Sequence, residues 1–320
     1  MRRFVDLHTH STASDGALAP RELVRLADAK RLAALALTDH DTTAGLAEAA
    51  EEARRFPALR FVPGIEVSAK YPPGTMHILG LGIDPAARAL RDLIASLRAA
   101  RDERNPRIVA RLQALGFPID MDDVLAAASS TAILAVRRTG ILPVHTDSSR
   151  GGKMPPQLTG RMPVLRGQTI GRVHIAEALR RKGCVRSVQE AFERLIGNAG
   201  PAYVDKERIP PADVVRAIAD SGGAPVLAHP PQLECENRAQ LERIAKNLRS
   251  AGLAAIEAYH PDHTPEETRQ YMDLARRLGL AVTGGSDFHG DAKPDARLGR
   301  PPVPLAAIEG RLRAIVTGVS

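Results

Sequence analysis

The chain has no tryptophan, and aromatic residues make up only 3% of it. Few rings are available to stack bases along an extended nucleic-acid strand. Cysteine is nearly absent as well. Cys184 and Cys235 lie far apart and follow no zinc spacing, so free thiols in a reducing, cytoplasmic setting are expected. No apolar run approaches the length of a membrane-spanning helix, and the sequence enters a strand pattern at once, without an apolar leader. A soluble protein with no membrane role is therefore expected. No compact Lys/Arg run marks a duplex-binding stripe, so duplex DNA is not an expected partner. The formal net charge of +7, carried mostly by arginine, instead favours small anionic partners.

What is present suits a large α/β domain. The 320 residues are 44% apolar, enough for a sizeable core built mainly from Ala, Leu, Val and Ile. Strand patterns at Phe4 to His8, Ala33 to Thr38, Arg60 to Ser68 and Thr75 to Gly82 alternate with helical patterns at Pro20 to Lys30 and from Thr42 or Thr43 to Arg55. This alternation predicts a parallel sheet or a barrel. After Asp84 the pattern turns all-helical. A long helix is expected over 86–115, kinked or broken at Pro106, and shorter ones at Asp120 to Ala128, Arg172 to Lys182 and Ser187 to Ile196. The α/β rhythm returns with helices at Ala212 to Ser221, Arg238 to Ser250 and Pro265 to Leu278. Strands accompany them at Pro225 to His229, Ala254 to Tyr259 and Leu280 to Gly284. The expected organisation is a barrel in two parts, 1–84 and 206–320, interrupted by an all-α insertion at 85–205. Within the insertion, Thr139-Gly140-Ile141-Leu142-Pro143-Val144 recurs as Thr159-Gly160-Arg161-Met162-Pro163-Val164 around a Ser/Gly/Pro-rich stretch. Residues 131–167 are therefore expected to form a loop of low structural content, and His145 within it carries no expected role.

The chemistry is concentrated in His8-Thr9-His10, followed by Asp15. Alternate residues of a strand share a face, so His8 and His10 could grip one divalent ion. Asp6 has the same parity and could orient one of these rings. Of ten histidines, His8, His40, His77, His229, His260 and His289 fall at or just beyond strands, most at C-terminal ends, where α/β folds build their sites. Asp15, Glu66 and Asp287 join them. Burying several carboxylates together is costly without cations.

These motifs resemble the PHP (polymerase and histidinol phosphatase) family of metal-dependent phosphoesterases. The resemblance rests on Asp6-Leu7-His8-Thr9-His10-Ser11 with Ser14-Asp15-Gly16, on Thr38-Asp39-His40-Asp41, and on Pro63-Gly64-Ile65-Glu66 with His77. Ala228-His229-Pro230 and Gly285-Ser286-Asp287-Phe288-His289-Gly290 complete it. It implies a distorted (β/α)7 TIM-like barrel with an inserted helical cap and a site for two or three divalent metal ions. By resemblance, His8, His10, Glu66 and Asp287 would hold one ion, and Asp15, His40 and His289 another. Glu66 would bridge to a further ion held by His77 and His229. Mixed His/carboxylate ligation suits manganese, iron or zinc better than magnesium or calcium, and manganese is the expected ion. Such ions lower the pKa of a bridging water, so that hydroxide can attack phosphorus near neutral pH.

Within the family the resemblance is to the branch that removes the 3'-phosphate of nucleoside 3',5'-bisphosphates, with relatives that trim 5' ends of short RNA. It is carried by Arg101-Asp102-Glu103-Arg104-Asn105, Gly171-Arg172-Val173-His174-Ile175-Ala176 and Tyr259-His260-Pro261-Asp262-His263. Arg104 and Arg172 would grip substrate phosphate. His260 would protonate the leaving oxygen or bind phosphate. His174 and His263 are expected to be structural. The stretch just upstream of Arg172 departs from the family by about thirty additional residues. Such loops are tolerated thermodynamically, so activity is expected to survive. The rival readings are a phosphatase of another small phosphomonoester such as histidinol phosphate, a metal-binding protein whose turnover the 131–167 insert impairs, and a metal-dependent amidohydrolase.

Overall fold

The computed structural model describes residues 3–71, 75–128, 170–205 and 209–318. The Thr-Gly-x-x-Pro-Val repeat, His145 and the 131–167 insert lie outside the described residues.

Eight strands form one sheet in the order β7-β6-β5-β4-β3-β2-β1-β8. They are β1 (Phe4–Asp6), β2 (Ala34–Leu37), β3 (Arg60–Ala69), β4 (Met76–Leu81), β5 (Ala224–Leu227), β6 (Ala255–Tyr259), β7 (Ala281–Gly284) and β8 (Val303–Pro304). The pairs β1–β2, β2–β3, β5–β6 and β6–β7 are parallel, while β4 runs antiparallel to both neighbours. The sheet nearly closes. Leu7 donates to the Gly284 carbonyl, Asp287 N–H donates to the His8 carbonyl, and Thr9 bridges Phe288 in parallel. The result is the distorted TIM-like barrel expected, with one addition. Short β8 pairs antiparallel with the start of β1, and the Pro-rich tail gave no signal for it.

Strand alternation sorts the side chains. In β2, Ala34 and Ala36 join Val5, Val62, Leu79 and Val226 in one cluster, which Leu312 and Val316 of α10 (Gly310–Thr317) complete. Leu35 and Leu37 point the other way, beneath α1 (Pro20–Ala29) and α2 (Leu46–Ala53). Small residues on one face and larger ones on the other let a narrow barrel fill without voids. Along the barrel wall run α7 (Pro211–Asp220), α8 (Arg238–Ser250) and α9 (Pro265–Leu278).

The helical insertion has its own core. Ile108, Val109, Leu112, Val124, Ile175, Leu179, Leu195 and Ile196 pack together, apart from the barrel clusters. The element joining the two is α3 (Arg88–Ala114), a single helix that continues through Pro106. The expected break there does not occur. Proline forfeits one backbone hydrogen bond, but both flanks are anchored. Leu90, Leu93 and Leu97 lie in the barrel core, and Ile108, Val109 and Leu112 in the insertion core. Beyond it come α4 (121–128), α5 (Arg172–Arg181) and α6 (Val188–Ala191). The helix expected up to Ile196 ends in a wider π turn at Phe192–Ile196. Among the described residues no helix is long and apolar enough to cross a membrane.

Candidate metal centre and its arginine wall

The loop after β1 carries His8, His10 and Asp15, and a buried carboxylate beneath it sets its shape. Asp39 accepts from Ser11 N–H (2.8 Å), the Ser11 hydroxyl (2.7 Å) and the Ser14 hydroxyl (2.6 Å). This fixes Asp15 relative to His40, the residue after Asp39. Across the seam, a Cβ on Gly285 would lie 2.4 Å from the His8 backbone nitrogen, so only glycine lets the Asp287 segment approach so closely. His77 reaches the same edge because β4 is antiparallel. Its first turn of chain is level with the end of β3, where His77 pairs with Ser68.

The nine expected metal ligands converge. Nε2 of His8 and of His10 stand 3.2 and 3.1 Å from Glu66 Oε2, and 3.4 and 3.2 Å from Asp287 Oδ1. Around Asp15 gather His10 Nδ1 at 3.7 Å, His40 Nε2 at 3.8 Å and His289 Nε2 at 3.4 Å. Glu66 Oε1 faces His77 Nδ1 at 2.8 Å and His229 Nε2 at 3.1 Å, and Glu66 Oε2 faces His40 Nδ1 at 3.1 Å. Within the sets His8/His10/Glu66/Asp287, His10/Asp15/His40/His289 and His40/Glu66/His77, all ligand atoms lie within 4.8 Å of one another. That spread matches donors about 2.0–2.2 Å from one ion.

The donor set fits metal on a second count. His8 Nε2, both nitrogens of His10, His40 Nδ1 and Glu66 Oε2 are buried without a hydrogen-bond partner among the described residues. Buried polar atoms are rarely left so. Here several point into shared spaces a few ångströms across.

Electrostatics agree. Burial alone would raise Glu66, but His40, His77 and His8 hold its carboxyl well below the usual range. Asp15 and Asp287 are likewise held down against burial, Asp15 by His40 and His289, Asp287 by His8 and His10. Burial disfavours a charged His10, yet Asp287 and Glu66 push it up to about 10. Burial dominates at His40 and lowers it to about 3. Positive charge is favoured at His10, between Asp287 and Glu66, while at His40 burial outweighs the carboxylates. Three residues with positive φ, Asp41 (54°), His229 (21°) and Asp287 (49°), also stand at this edge. Non-glycine residues hold such conformations where surrounding structure imposes them, commonly at functional sites.

Opposite the cluster, the insertion supplies arginines. Asp15, His40 and His77 share one cleft with Arg101, Arg104, Arg172, His174 and Phe192. Arg104 is buried and receives only its neighbour: Nε and Nη2 donate to Asn105 Oδ1 at 3.2 and 2.7 Å, while Asn105 Nδ2 donates to the Ile170 carbonyl. Among the described residues no carboxylate lies within ion-pair distance of it. Burial, then Arg101 and Arg172, lower its pKa to about 9, against the opposing pull of Asp41. Arg172 Nη1 donates to the Ile196 carbonyl at 3.0 Å, and its guanidinium lies 5.6 Å from the Phe192 ring centre and 5.3 Å from that of Tyr203. The π turn presents both that carbonyl and Phe192.

The remaining expectations sort as follows. His260 is fully buried behind Asp287, with Nε2 3.6 Å from Asp287 Oδ2 and Nδ1 accepting from Asp262 N–H. His174 accepts from Gly171 N–H at the start of α5, and His263 Nδ1 lies 2.9 Å from the Ala258 carbonyl. Asp6 does not orient an imidazole. Its carboxylate takes the backbone N–H groups of Ser286 (2.9 Å), Gly299 (2.7 Å) and His8 (3.4 Å), and burial raises its pKa to about 6. Three site residues were not foreseen. Glu257 touches the His8 ring at 3.0 Å. Lys293 donates to Asp287 Oδ2 at 2.9 Å. Arg101 pairs with Asp41, Nε at 3.1 Å from Oδ2. The one signal for Glu257 was a carboxylate inside the apolar strand run Ala254 to Tyr259.

A barrel with imidazoles and carboxylates gathered at one edge, facing arginines, defines a metal-dependent hydrolase of anionic esters. The chain belongs to the PHP family of phosphoesterases. A PHP-domain model matches residues 6–138. The chain is 34% identical to a 3',5'-nucleoside bisphosphate phosphatase of Chromobacterium violaceum, over 89% of this chain and 87% of that protein. It is 31% identical to the 5'-3' exoribonuclease Rnm of Salmonella typhimurium, over 95% and 91%. Among solved structures, a Bifidobacterium adolescentis protein assigned as a metal-dependent phosphoesterase superposes with a TM-score of 0.75 at 31% identity, over 95% of this chain and 93% of that one. The protein is thus a metal-dependent phosphoesterase.

Proposed function

We propose that the chain hydrolyses phosphate from nucleotides, acting on the 3'-phosphate of nucleoside 3',5'-bisphosphates. The observation that carries this is the cleft in which the ligand cluster faces Arg104, a buried cation with no carboxylate within ion-pair distance among the described residues. A substrate with one phosphate at the metals and a second within reach of Arg104 and Arg172 would satisfy both walls. His8, His10, Glu66 and Asp287 would hold one ion. Asp15, His40 and His289 would hold another, and His77, His229 and Glu66 a third, with manganese favoured and iron or zinc the alternatives. When bound, such ions supply a nucleophile from water near neutral pH and neutralise phosphate.

The chain's own residues do the rest. Asp39 holds the loop that carries Asp15. Asp41, gripped by Arg101, ties the end of β2 to α3 and so sets the height of the cap, residues 85–205, above the metals. A neutral His260 keeps its proton on Nε2, because Nδ1 already accepts from Asp262 N–H. That N–H faces Asp287 Oδ2 at 3.6 Å and would donate a hydrogen bond to a substrate phosphate oxygen at this edge. A short RNA with a 5'-phosphate would use the same walls, and the exoribonuclease relative supports this second reading.

A substrate panel with added Mn²⁺ tests the proposal. It should contain a nucleoside 3',5'-bisphosphate, simple monophosphates including histidinol phosphate, and a short 5'-phosphorylated RNA. Preference for the bisphosphate is expected. Equal turnover of simple monophosphates would sink the nucleotide assignment while leaving the phosphoesterase intact. Removing residues 137–166 and repeating the panel separates an intact enzyme from one the insert impairs. Similar rates in both forms are expected.

A further inference from the structure

Glu257 is a buried carboxylate that the metal assignment does not use. It sits on β6, fully enclosed, and its two oxygens serve two different strands. Oε1 lies 3.0 Å from Nδ1 of His8, beyond β1, and Oε2 accepts the backbone N–H of His229, beyond β5, at 2.8 Å. We infer that Glu257 is a positioning residue for the metal centre. It fixes the His8 ring with the proton on Nδ1 and the Nε2 lone pair aimed at Glu66 and Asp287, and it pins the backbone of His229. The inference rests on the metal reading proposed above.

Two observations carry it. First, Glu257 meets only one ring nitrogen of His8, and the other stands among Glu66 and Asp287. An imidazole that binds metal through one nitrogen is oriented by what the other nitrogen donates to, and a carboxylate acceptor makes the ring a better ligand. Second, His229 has φ of +21° and so departs from ordinary strand geometry just where its ring must turn towards Glu66. A charged acceptor on its N–H is the contact able to hold it there.

The same atoms could be read as another metal set, since His8, Glu257 and His260 also offer ligand atoms within 4.8 Å of one another. That arrangement would need His8 to bind ions through both nitrogens and to lose both ring protons. The positioning role needs neither.

The test uses the full chain. The metal-free wild type and Glu257→Gln are compared by thermal melting and by Mn²⁺ affinity against a fluorescent chelator. The zinc-loaded wild type is examined by ¹⁵N NMR of its histidine rings. The expected results are a folded variant with Mn²⁺ affinity 10- to 100-fold weaker, a lower kcat with KM changed little, and His8 carrying a proton on Nδ1 in the wild type. A folded Glu257→Gln with unchanged affinity would overturn the inference, and so would a zinc-loaded His8 without a proton on Nδ1. The NMR measurement needs no variant and stays decisive if Glu257→Gln does not fold. A wild type that binds no divalent ion would overturn the metal reading itself, a result distinguishable from failure of Glu257 alone.

Discussion

The two walls of the cleft have opposite electrostatic needs. On the barrel side, Glu66, Asp15 and Asp287 are packed among imidazoles in a space that favours added positive charge. On the cap side, Arg104 lies buried, with burial and the nearby Arg101 and Arg172 lowering its pKa, and no carboxylate among the described residues pairs with it. Neither wall compensates the other directly, although one strut, Arg101 to Asp41, crosses between them. The difference teaches a division of labour. The barrel is built to hold ions at fixed spacing, and the cap to hold the charge those ions do not reach. Metals and a phosphorylated substrate together would satisfy both, so that one site would be assembled between the barrel core and the separate core of the helical insertion.

This comparison can be broken from either side. The largest effect is expected from the barrel. His10→Ala removes a ring whose two nitrogens face two ligand groups, so metal content should fall and the rate should drop by more than the ~100-fold typical of an outer contact. Elemental analysis beside a rate assay checks it, and full metal content with full rate would refute the assignment. Next comes the strut. Arg101→Ala removes a charge-assisted contact from buried Asp41, which keeps the Ser68 N–H, and should cost about 1.5–3 kcal/mol of stability, read as a lowered melting temperature. Cap and barrel would then lose register, and both kcat and KM should worsen. Third is Arg104→Ala, where a charge-assisted contact worth about 1.5–3 kcal/mol is lost. KM for a bisphosphate should rise roughly 10- to 100-fold, with metal content intact. A fall in metal content in that variant would show that the walls are not independent.

Much of the barrel wall was legible in sequence because its signals are local. Strand ends place His8, His40, His229 and Asp287, and the carboxylates stand out against apolar runs. The tail strand β8 was not legible, since two residues carry no periodicity. Continuity at Pro106 was not either, because it depends on two separate cores gripping α3 from both sides. Asp6 was misread by parity: it lies at a seam between chain segments, where the backbone N–H groups of Ser286 and Gly299 claim it. Glu257 reaches His8 across 249 residues of chain, through barrel closure, and no spacing in the sequence announces a contact of that range; Lys293 lies near Asp287 in sequence, but the irregular turn between them carries no periodic pattern. The cap arginines are an intermediate case. Their positions were foreseen by resemblance, but that no carboxylate among the described residues pairs with Arg104 is a property of packing.

The smallest effect is expected at the edge of the cap, where it sharpens the comparison most. Arg172 is held by the Ile196 carbonyl and by the faces of Phe192 and Tyr203. Phe192→Leu keeps apolar volume and the carbonyl but removes one ring. A cation–π contact at a partly exposed site is worth about 0.5–1 kcal/mol, so KM for a bisphosphate should rise about two- to five-fold with kcat unchanged. Turnover of a simple monophosphate should not move, because that substrate has no second charge for Arg172 to hold. If both substrates weaken equally, Phe192 acts through the shape of the π turn and not through the arginine. The cap would then select by enclosure, and the charge argument would contract to Arg104 alone.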